Sequence, residues 1–226
     1  VNPARTLRVN RTHFPVKVLG PGTRWGIWVQ GCPLACRGCM SLDTWDETGG
    51  VEVSVESLAV EWAEAVDAGA TGLTLSGGEP LVQPEAVAAL LVAADRVRRK
   101  ASRECDILVY TGFELSELKP EQLRAIEHAD VLMTGRYNAA APTRLLWRGS
   151  ANQRMVMRTP LGRQRYAGYQ NLVPDKPPIQ VQVDESGAWI VGVPAPGTLP
   201  RLERQLRDGG LGTVQVSWRP SPPEVG

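Results

Sequence analysis

From Trp25 onward the apolar positions switch between two periods. Trp25-Gly26-Ile27-Trp28-Val29-Gln30 is rich in aromatic and β-branched residues and predicts a short strand. After Gly49-Gly50 the period lengthens. Leu58, Trp62, Ala65 and Val66 share one helical face, Ser54 can cap that helix, and Gly69 ends it. Gly72-Leu73-Thr74-Leu75-Ser76 predicts the next strand and runs into Gly77-Gly78-Glu79-Pro80. A second helix follows with Pro84 in its first turn and Val87, Leu90, Leu91, Ala94 and Val97 on one face. Asp106–Thr111 and Asp130–Thr134 predict two more strands, with helical turns at Glu114–Leu118 and Glu121–His128 between them. Residues 1–24 show no sustained period and read as irregular, with Gly20-Pro21-Gly22-Thr23 as a turn.

Strand–helix alternation favours parallel strands joined by helical crossovers. Four such units are too few for a closed eight-unit barrel. The fold class is α/β, as an open sheet or a partial (β/α) barrel. After Gly135 the character changes. Residues 136–178 are rich in Arg, Gly, Pro and Asn and read as long loops, with one strand at Arg154–Arg158. Asp175-Lys176-Pro177-Pro178 reads as a boundary, which divides the chain into a core, 1–174, and a small α+β extension, 175–226. In the extension, Ile179, Val181 and Val183 alternate with polar residues, Asp184–Gly187 turns, and Ala188–Val193 returns as a hairpin. Leu199, Leu202 and Leu206 mark a helix ended by Gly209-Gly210, and Val214, Val216 and Trp218 a last strand.

Composition narrows the function classes. A chain of 226 residues is one large domain, or one with an appendage. With 25 Lys and Arg against 24 Asp and Glu, the net charge of +1 argues against a nucleic-acid or anionic-membrane binder. No apolar run approaches the ~18 residues of a membrane span. Val1–Asn10 carries Arg5 and Arg8 without an apolar core, so it does not read as a secretory signal. The expected compartment is the cytosol.

The cysteines carry the chemistry. Three of the 4 stand as Cys32-x3-Cys36-x2-Cys39. In a reducing compartment such a cluster points to metal or redox work. Three thiolates can hold three irons of a [4Fe–4S] cluster, leaving the fourth open as a catalytic site requires. A structural zinc site wants four ligands, and the histidines, His13 and His128, are remote in sequence. Zinc or unligated packing is the competing reading. Cys105, standing alone, reads as a buried small residue. Gly-Gly-Glu-Pro by itself reads as an ordinary strand-to-helix turn. Its pairing with the cysteine loop reverses that reading.

Gly31-Cys32-x3-Cys36-x2-Cys39 resembles the cluster loop of the radical S-adenosylmethionine (radical SAM) superfamily. Several stretches are similar to a narrower group, the activating proteins of anaerobic ribonucleotide reductase. These are Gly20-Pro21-Gly22-Thr23-Arg24, Cys36-Arg37-Gly38-Cys39, Thr44-Trp45, Gly72 through Leu81, Asp130-Val131-Leu132, and Arg148-Gly149-Ser150-x-Asn152-Gln153-Arg154. The resemblance covers roughly residues 7–160 and implies the radical SAM type of partial barrel. It implies a [4Fe–4S] cluster on Cys32, Cys36 and Cys39 whose open iron binds SAM. Gly77, Gly78 and Glu79 would hold the methionine part, and Tyr110-Thr111-Gly112, ending the third strand, would face the same cavity. Tyr110 and Thr111 read equally well as packing residues. Arg136, Arg144, Arg148 and Arg154 lie in loops within reach of the site, though exposure is the plainer reading for most. Trp45 is the tryptophan placed to shield the cluster. No residue is assigned as catalytic.

The resemblance implies reductive cleavage of SAM to a 5′-deoxyadenosyl radical that removes a hydrogen atom, from a glycine of a large glycyl radical enzyme in the leading reading. The implied partners are a protein or peptide substrate and a low-potential donor such as flavodoxin or ferredoxin, with no nucleic acid and no membrane. The alternative is a tailoring enzyme acting on a peptide or small molecule. A third possibility is an iron–sulfur or zinc protein that no longer binds SAM. Three departures favour the tailoring reading: Met40-Ser41 replaces an aromatic or His followed by Asn, Thr134-Gly135 replaces Asp-Gly, and the extension is added.

Overall fold

The computed structural model describes residues 5–184, 187–195, 197–210 and 216–217. Its main sheet has seven strands: β1 (Thr6–Val16), β2 (Arg24–Val29), β3 (Val51–Ser54), β4 (Gly72–Gly77), β5 (Asp106–Tyr110), β6 (Val131–Thr134) and β7 (Arg154–Met157). Their order is β3-β1-β2-β4-β5-β6-β7. The central β2, β4, β5 and β6 are mutually parallel, and the flanking β1, β3 and β7 pair antiparallel. The fold is therefore mixed α/β around a parallel centre.

Alternation along the central strands decides which side chains meet the helices. Trp25, Ile27 and Val29 of β2, Leu73 and Leu75 of β4, Ile107 and Val109 of β5 and Leu132 of β6 share one apolar core. The helices α1 (Val55–Asp67), α2 (Pro84–Arg98) and α3 (Pro120–Ala125) supply Leu58, Trp62, Leu90, Leu91 and Ala125 to it. Trp62 stacks on Trp25 and donates to the Ala94 carbonyl at 3.2 Å. Ser54 caps α1, accepting from the Ser57 N–H. The intervening positions face the other way. Leu108, Val131, Met133 and Met155 pack there with Trp147 and with Tyr166 of α4 (Pro160–Tyr166). The same face is covered further along by a hairpin of β8 (Ile179–Asp184) and β9 (Gly187–Gly192), followed by α5 (Thr198–Asp208).

Three expectations need correction. Residues 6–16, read as irregular, form the long strand β1, which pairs with both β2 and β3. Its apolar signal is diluted because the face away from Leu7 and Val9 carries Arg8, Asn10 and other polar residues, and Pro15 sits where the register shifts. Helix α4 lies inside the stretch read as loops. It is short, and Gly162 is required because a Cβ there would meet the Asp130 carbonyl at 2.4 Å. Arg96, Arg98, Arg99 and Lys100, which crowd the end of α2 and read in sequence as a solvated helix end, are not wholly solvated. Arg98 bonds to Asp95 and Asp130 and to the Cys105 carbonyl. The hairpin and α5 stand where the pattern put them. Of the expected last strand, Val214 and Trp218 lie outside the described residues.

The starts of β2, β4 and β5 are joined by a buried ion pair. Arg24 and Asp106 are both 0% exposed and meet through two contacts, 2.7 and 3.1 Å. Arg24 also donates to the Thr74 hydroxyl and the Leu73 carbonyl, while Asp106 accepts from Tyr166 and pairs with Arg165 at 3.0 Å. Burial alone would lower the Arg24 pKa, but the Asp106 charge overrides it and holds the guanidinium charged. Burial raises the Tyr166 phenol well above its usual value, so it remains a donor. Gly72 leaves room for this arrangement, since its Cβ would lie 2.2 Å from Arg24 Nη1.

A buried charge stripped of its partner is costly. Asp106→Asn should lower unfolding stability by about 3–5 kcal/mol, and Tyr166→Phe, which removes one bond to a charged acceptor, by about 1.5–3 kcal/mol. Urea titrations of the two variants check this. A loss for Asp106→Asn below that of Tyr166→Phe would show that the pair does not carry this end of the sheet.

Candidate functional site

The cysteine loop leaves the C-terminal end of β2 and is closed onto itself by main-chain bonds. Gly31 N–H donates to the Thr44 carbonyl at 2.8 Å and Cys32 N–H to Trp45 at 3.1 Å. Gln30, nearly buried, donates from its amide to the Asp43 and Asp46 carbonyls and accepts from Asn10 at 2.8 Å. Cys39 N–H reaches the Cys36 carbonyl at 3.0 Å. This turn uses left-handed backbone at Ala35 (φ 45°) and Gly38 (φ 80°).

Cys32, Cys36 and Cys39 are all partly exposed and none is in a disulfide. The Ser41 N–H lies 3.4 Å from the Cys39 sulfur, and the main-chain N–H groups of Leu34 and Tyr137 favour the charged forms of Cys32 and Cys36. Burial raises the Cys32 and Cys36 thiols, and these N–H groups oppose it. Among the described residues no three His, Cys, Asp or Glu side chains converge on a single ion. That geometry does not suit one tetrahedral zinc. A cubane makes a different demand, because each thiolate binds its own iron. N–H donors directed at sulfur are also among the levers that tune such clusters. Cys105 lies at the opposite end of the sheet, ahead of β5. It is 2% exposed and 3.4 Å from the Ala70 carbonyl, as its isolation predicted.

The Gly77–Glu79 turn meets the cysteine loop at the strand ends. Gly78 N–H donates to the Val29 carbonyl at 2.8 Å and Glu79 N–H to Gly31 at 2.9 Å. A Cβ on Gly77 would lie 2.4 Å from Val29 N, and one on Gly78 would lie 2.3 Å from the Gly31 oxygen. What these glycines admit is thus the backbone of the cysteine loop. Glu79 is 1% exposed. One of its oxygens accepts from Leu81 N–H (2.9 Å) and the Thr111 hydroxyl (2.8 Å), the other from Gly112 N–H (2.7 Å). Burial raises its pKa, opposed by these three donors and the Arg136 charge. The Thr111 hydroxyl is thus committed to Glu79. Tyr110 sits among apolar residues with its hydroxyl 3.4 Å from the Trp147 carbonyl, and burial raises its pKa.

Arg136 and Tyr137 approach from the far side. Arg136 binds both oxygens of Glu117, lies 5.7 Å over the Phe113 ring, and favours the charged forms of Cys36 and Glu79. Arg144 and Arg154 are exposed, whereas Arg148 is buried and donates to the Gln170 carbonyl at 2.8 Å. Trp45 is half-buried and meets the loop through its main chain. Gly112 stands where the end of β5 is expected to face the site, whereas Gln30 and Tyr137 carry no such signal in the sequence. Only their place beside a strand end or a motif could have marked them.

A family described as "4Fe-4S single cluster domain" matches residues 18–156. The chain belongs to this family, among the radical SAM enzymes, whose cofactors are a [4Fe–4S] cluster and SAM. Within it, the chain is similar to the anaerobic ribonucleoside-triphosphate reductase-activating protein of Haemophilus influenzae, 38% identical over 145 residues, 62% of this chain and 92% of the relative. The proteins of the same name from Escherichia coli and Enterobacteria phage T4 are each 34% identical, and the matches cover 93% and 88% of those relatives. No helix among the described residues is long and apolar enough to cross a membrane.

Two outcomes check the site. Ala at Cys32, Cys36 or Cys39 should abolish iron retention after anaerobic reconstitution, while Cys105→Ala keeps the full complement; iron analysis reads both. Glu79→Gln turns an acceptor into a donor facing N–H groups, and should cost about 1–3 kcal/mol of stability in the iron-free chain. A variant as stable as the parent in urea would show that the three bonds to Glu79 are not needed.

Proposed function

We propose that this chain is an activating enzyme that generates a glycyl radical on a large partner protein of the anaerobic ribonucleotide reductase kind. The observation that carries this reading is the cysteine loop seated on the Gly77–Glu79 turn by main-chain bonds, with the Ser41 N–H 3.4 Å from the Cys39 sulfur. In this reading Cys32, Cys36 and Cys39 hold three irons as thiolates and release their protons on binding. The Gly77–Glu79 turn would hold the methionine ammonium, through its main-chain carbonyls and the Glu79 carboxylate. Thr111 and Gly112 hold that carboxylate in place, and Arg136 adds positive charge on the far side. When bound, the reduced cluster and SAM supply an electron and a cleavable sulfonium bond, giving methionine and a 5′-deoxyadenosyl radical. Transfer of a hydrogen atom from a glycine Cα then leaves 5′-deoxyadenosine and a radical on the partner. A flavodoxin or ferredoxin supplies the electron.

The sheet, in this proposal, curves as a partial (β/α) barrel over residues 1–174, with 175–226 as a separate extension. The site lies outside the carboxyl ends of the parallel strands, where open α/β sheets bind ligands. A second reading, a tailoring enzyme acting on a peptide or small molecule, is favoured by one observation. The extension reaches the cysteine loop, through Ser217 to Met40 and Leu42.

The test is anaerobic. Reconstituted protein, dithionite, SAM and an anaerobic ribonucleotide reductase should give 5′-deoxyadenosine and methionine by mass spectrometry and a glycyl radical by EPR. The Cys36→Ala protein should give neither. Cleavage of SAM without a radical on the reductase would overturn the activase reading in favour of the tailoring one.

A further inference from the structure

The extension meets the core along two lines that end at the same place. Its hairpin lies beside β1, where the Gln180 side chain donates to the Pro15 carbonyl (2.8 Å) and accepts from Lys17 N–H (3.0 Å). Val191 is buried with Val16, Val18 and Leu19. Trp189 carries the contact toward the strand ends. Its ring stands edge-on to His13 (4.8 Å) and Trp28 (5.8 Å), and the Arg11 guanidinium lies 5.1 Å over it. The same guanidinium reaches Asp43 at 3.2 Å. The second line is shorter. The Ser217 carbonyl accepts from Leu42 N–H at 2.7 Å, and its hydroxyl donates to the Met40 carbonyl at 2.8 Å.

Both lines therefore finish on Met40–Asp43, the residues directly after Cys39. On its inner side this loop is tied by Gly31 and Gln30 to Thr44, Asp43 and Asp46. Its outer side is met by the extension, and the family match stops at residue 156, ahead of that extension. A thiolate loop keeps its irons better when its geometry is fixed from outside, because less order has to be gained on binding and the ligands open less often.

We propose that the C-terminal extension is a brace of the cysteine loop, in which Ser217 and Trp189 are positioning residues that fix Met40–Asp43 and slow the loss of iron. This rests on the reading of Cys32, Cys36 and Cys39 as cluster ligands. Ser217 acts by direct hydrogen bonds. Trp189 acts through Arg11, whose guanidinium is attracted both to the ring face and to Asp43.

The parent protein and the variants Ser217→Ala, Trp189→Ala and Trp189→Phe are reconstituted anaerobically. Iron per chain, the rate of iron transfer to a chelator and the EPR line shape of the reduced protein are then measured. All should take up the same iron. Loss should be about fivefold faster for Ser217→Ala and about tenfold faster for Trp189→Ala. Trp189→Phe, which keeps an aromatic face, should stay within about twofold of the parent. The EPR line shape should change in the two Ala variants, and the melting temperature of iron-free Ser217→Ala should match the parent. Equal loss rates and an unchanged line shape would overturn the brace and leave the ligand reading intact. So would faster loss that only follows a lower melting temperature of the iron-free chain. A parent protein that takes up no iron would overturn the ligand reading itself.

Discussion

The Arg24–Asp106 pair, out of contact with water, fixes where β2, β4 and β5 begin, and the register of their far ends follows from it. Arg24 opens β2, Asp106 opens β5, and Gly72 at the start of β4 lies against the guanidinium. Such a pair is weak evidence for net stability, because desolvating two charges offsets much of their attraction. Its effect is on alternatives. A one-residue slip of β4 or β5 would turn alternate side chains to the wrong face and leave a buried charge unmatched. At the opposite end of the same strands Glu79 repeats the device with one buried carboxyl and three neutral donors, joining the end of β4 to the end of β5.

The cysteine loop inherits its position from those two fixed ends. It is seated by main-chain bonds from Gly78 and Glu79 to Val29 and Gly31, at a separation that excludes any Cβ on Gly77 or Gly78. The glycines thus serve the chain before they serve any ligand. Electrostatics point the same way. Burial makes Cys32 and Cys36 reluctant to ionise, and the N–H groups of Leu34 and Tyr137 recover part of that cost without adding a fixed charge beside the sulfurs. Binding of a soft, positively charged group completes the ionisation and is therefore coupled to proton release.

Much of this was legible in the residues. Central strands buried on both faces give nearly continuous apolar runs, as in Leu73–Leu75 and Ile107–Tyr110. The amphipathic α1 and α2 announce themselves by spacing, and thiol chemistry by the cysteine intervals. What failed has a common cause. β1 shares its burial between a sheet face and a hairpin, so its pattern mixes Leu7 and Val9 with Arg11 and His13. α4 is capped locally by Thr159, but Gly162 is there to clear the Asp130 carbonyl, which is a tertiary fact. Arg24 and Arg98 are ordinary arginines in sequence. Only the fold brings Asp106 and Asp130 to them, from 82 and 32 positions away. Glu79 was legible as a motif, but its bonds to Thr111 and Gly112 were not.

The departures from the family pattern are not scattered. Met40-Ser41 stands where an aromatic or His followed by Asn is usual, and it is on Met40 and Leu42 that Ser217 closes. The contacts that define the thiol loop, from Gln30, Gly31, Gly78, Glu79, Thr111 and Tyr137, all fall inside residues 18–156, the matched region. Those that distinguish this chain come from Trp189, Gln180 and Ser217, outside it. A loop whose inner edge is set by the core can accept a new partner on its outer edge without disturbing its sulfurs, since the outer bonds involve Met40 and Leu42 rather than Cys39. Variation at that edge can then alter access to the site, or the life of what it holds, while the chemistry of the strand ends stays as the core makes it.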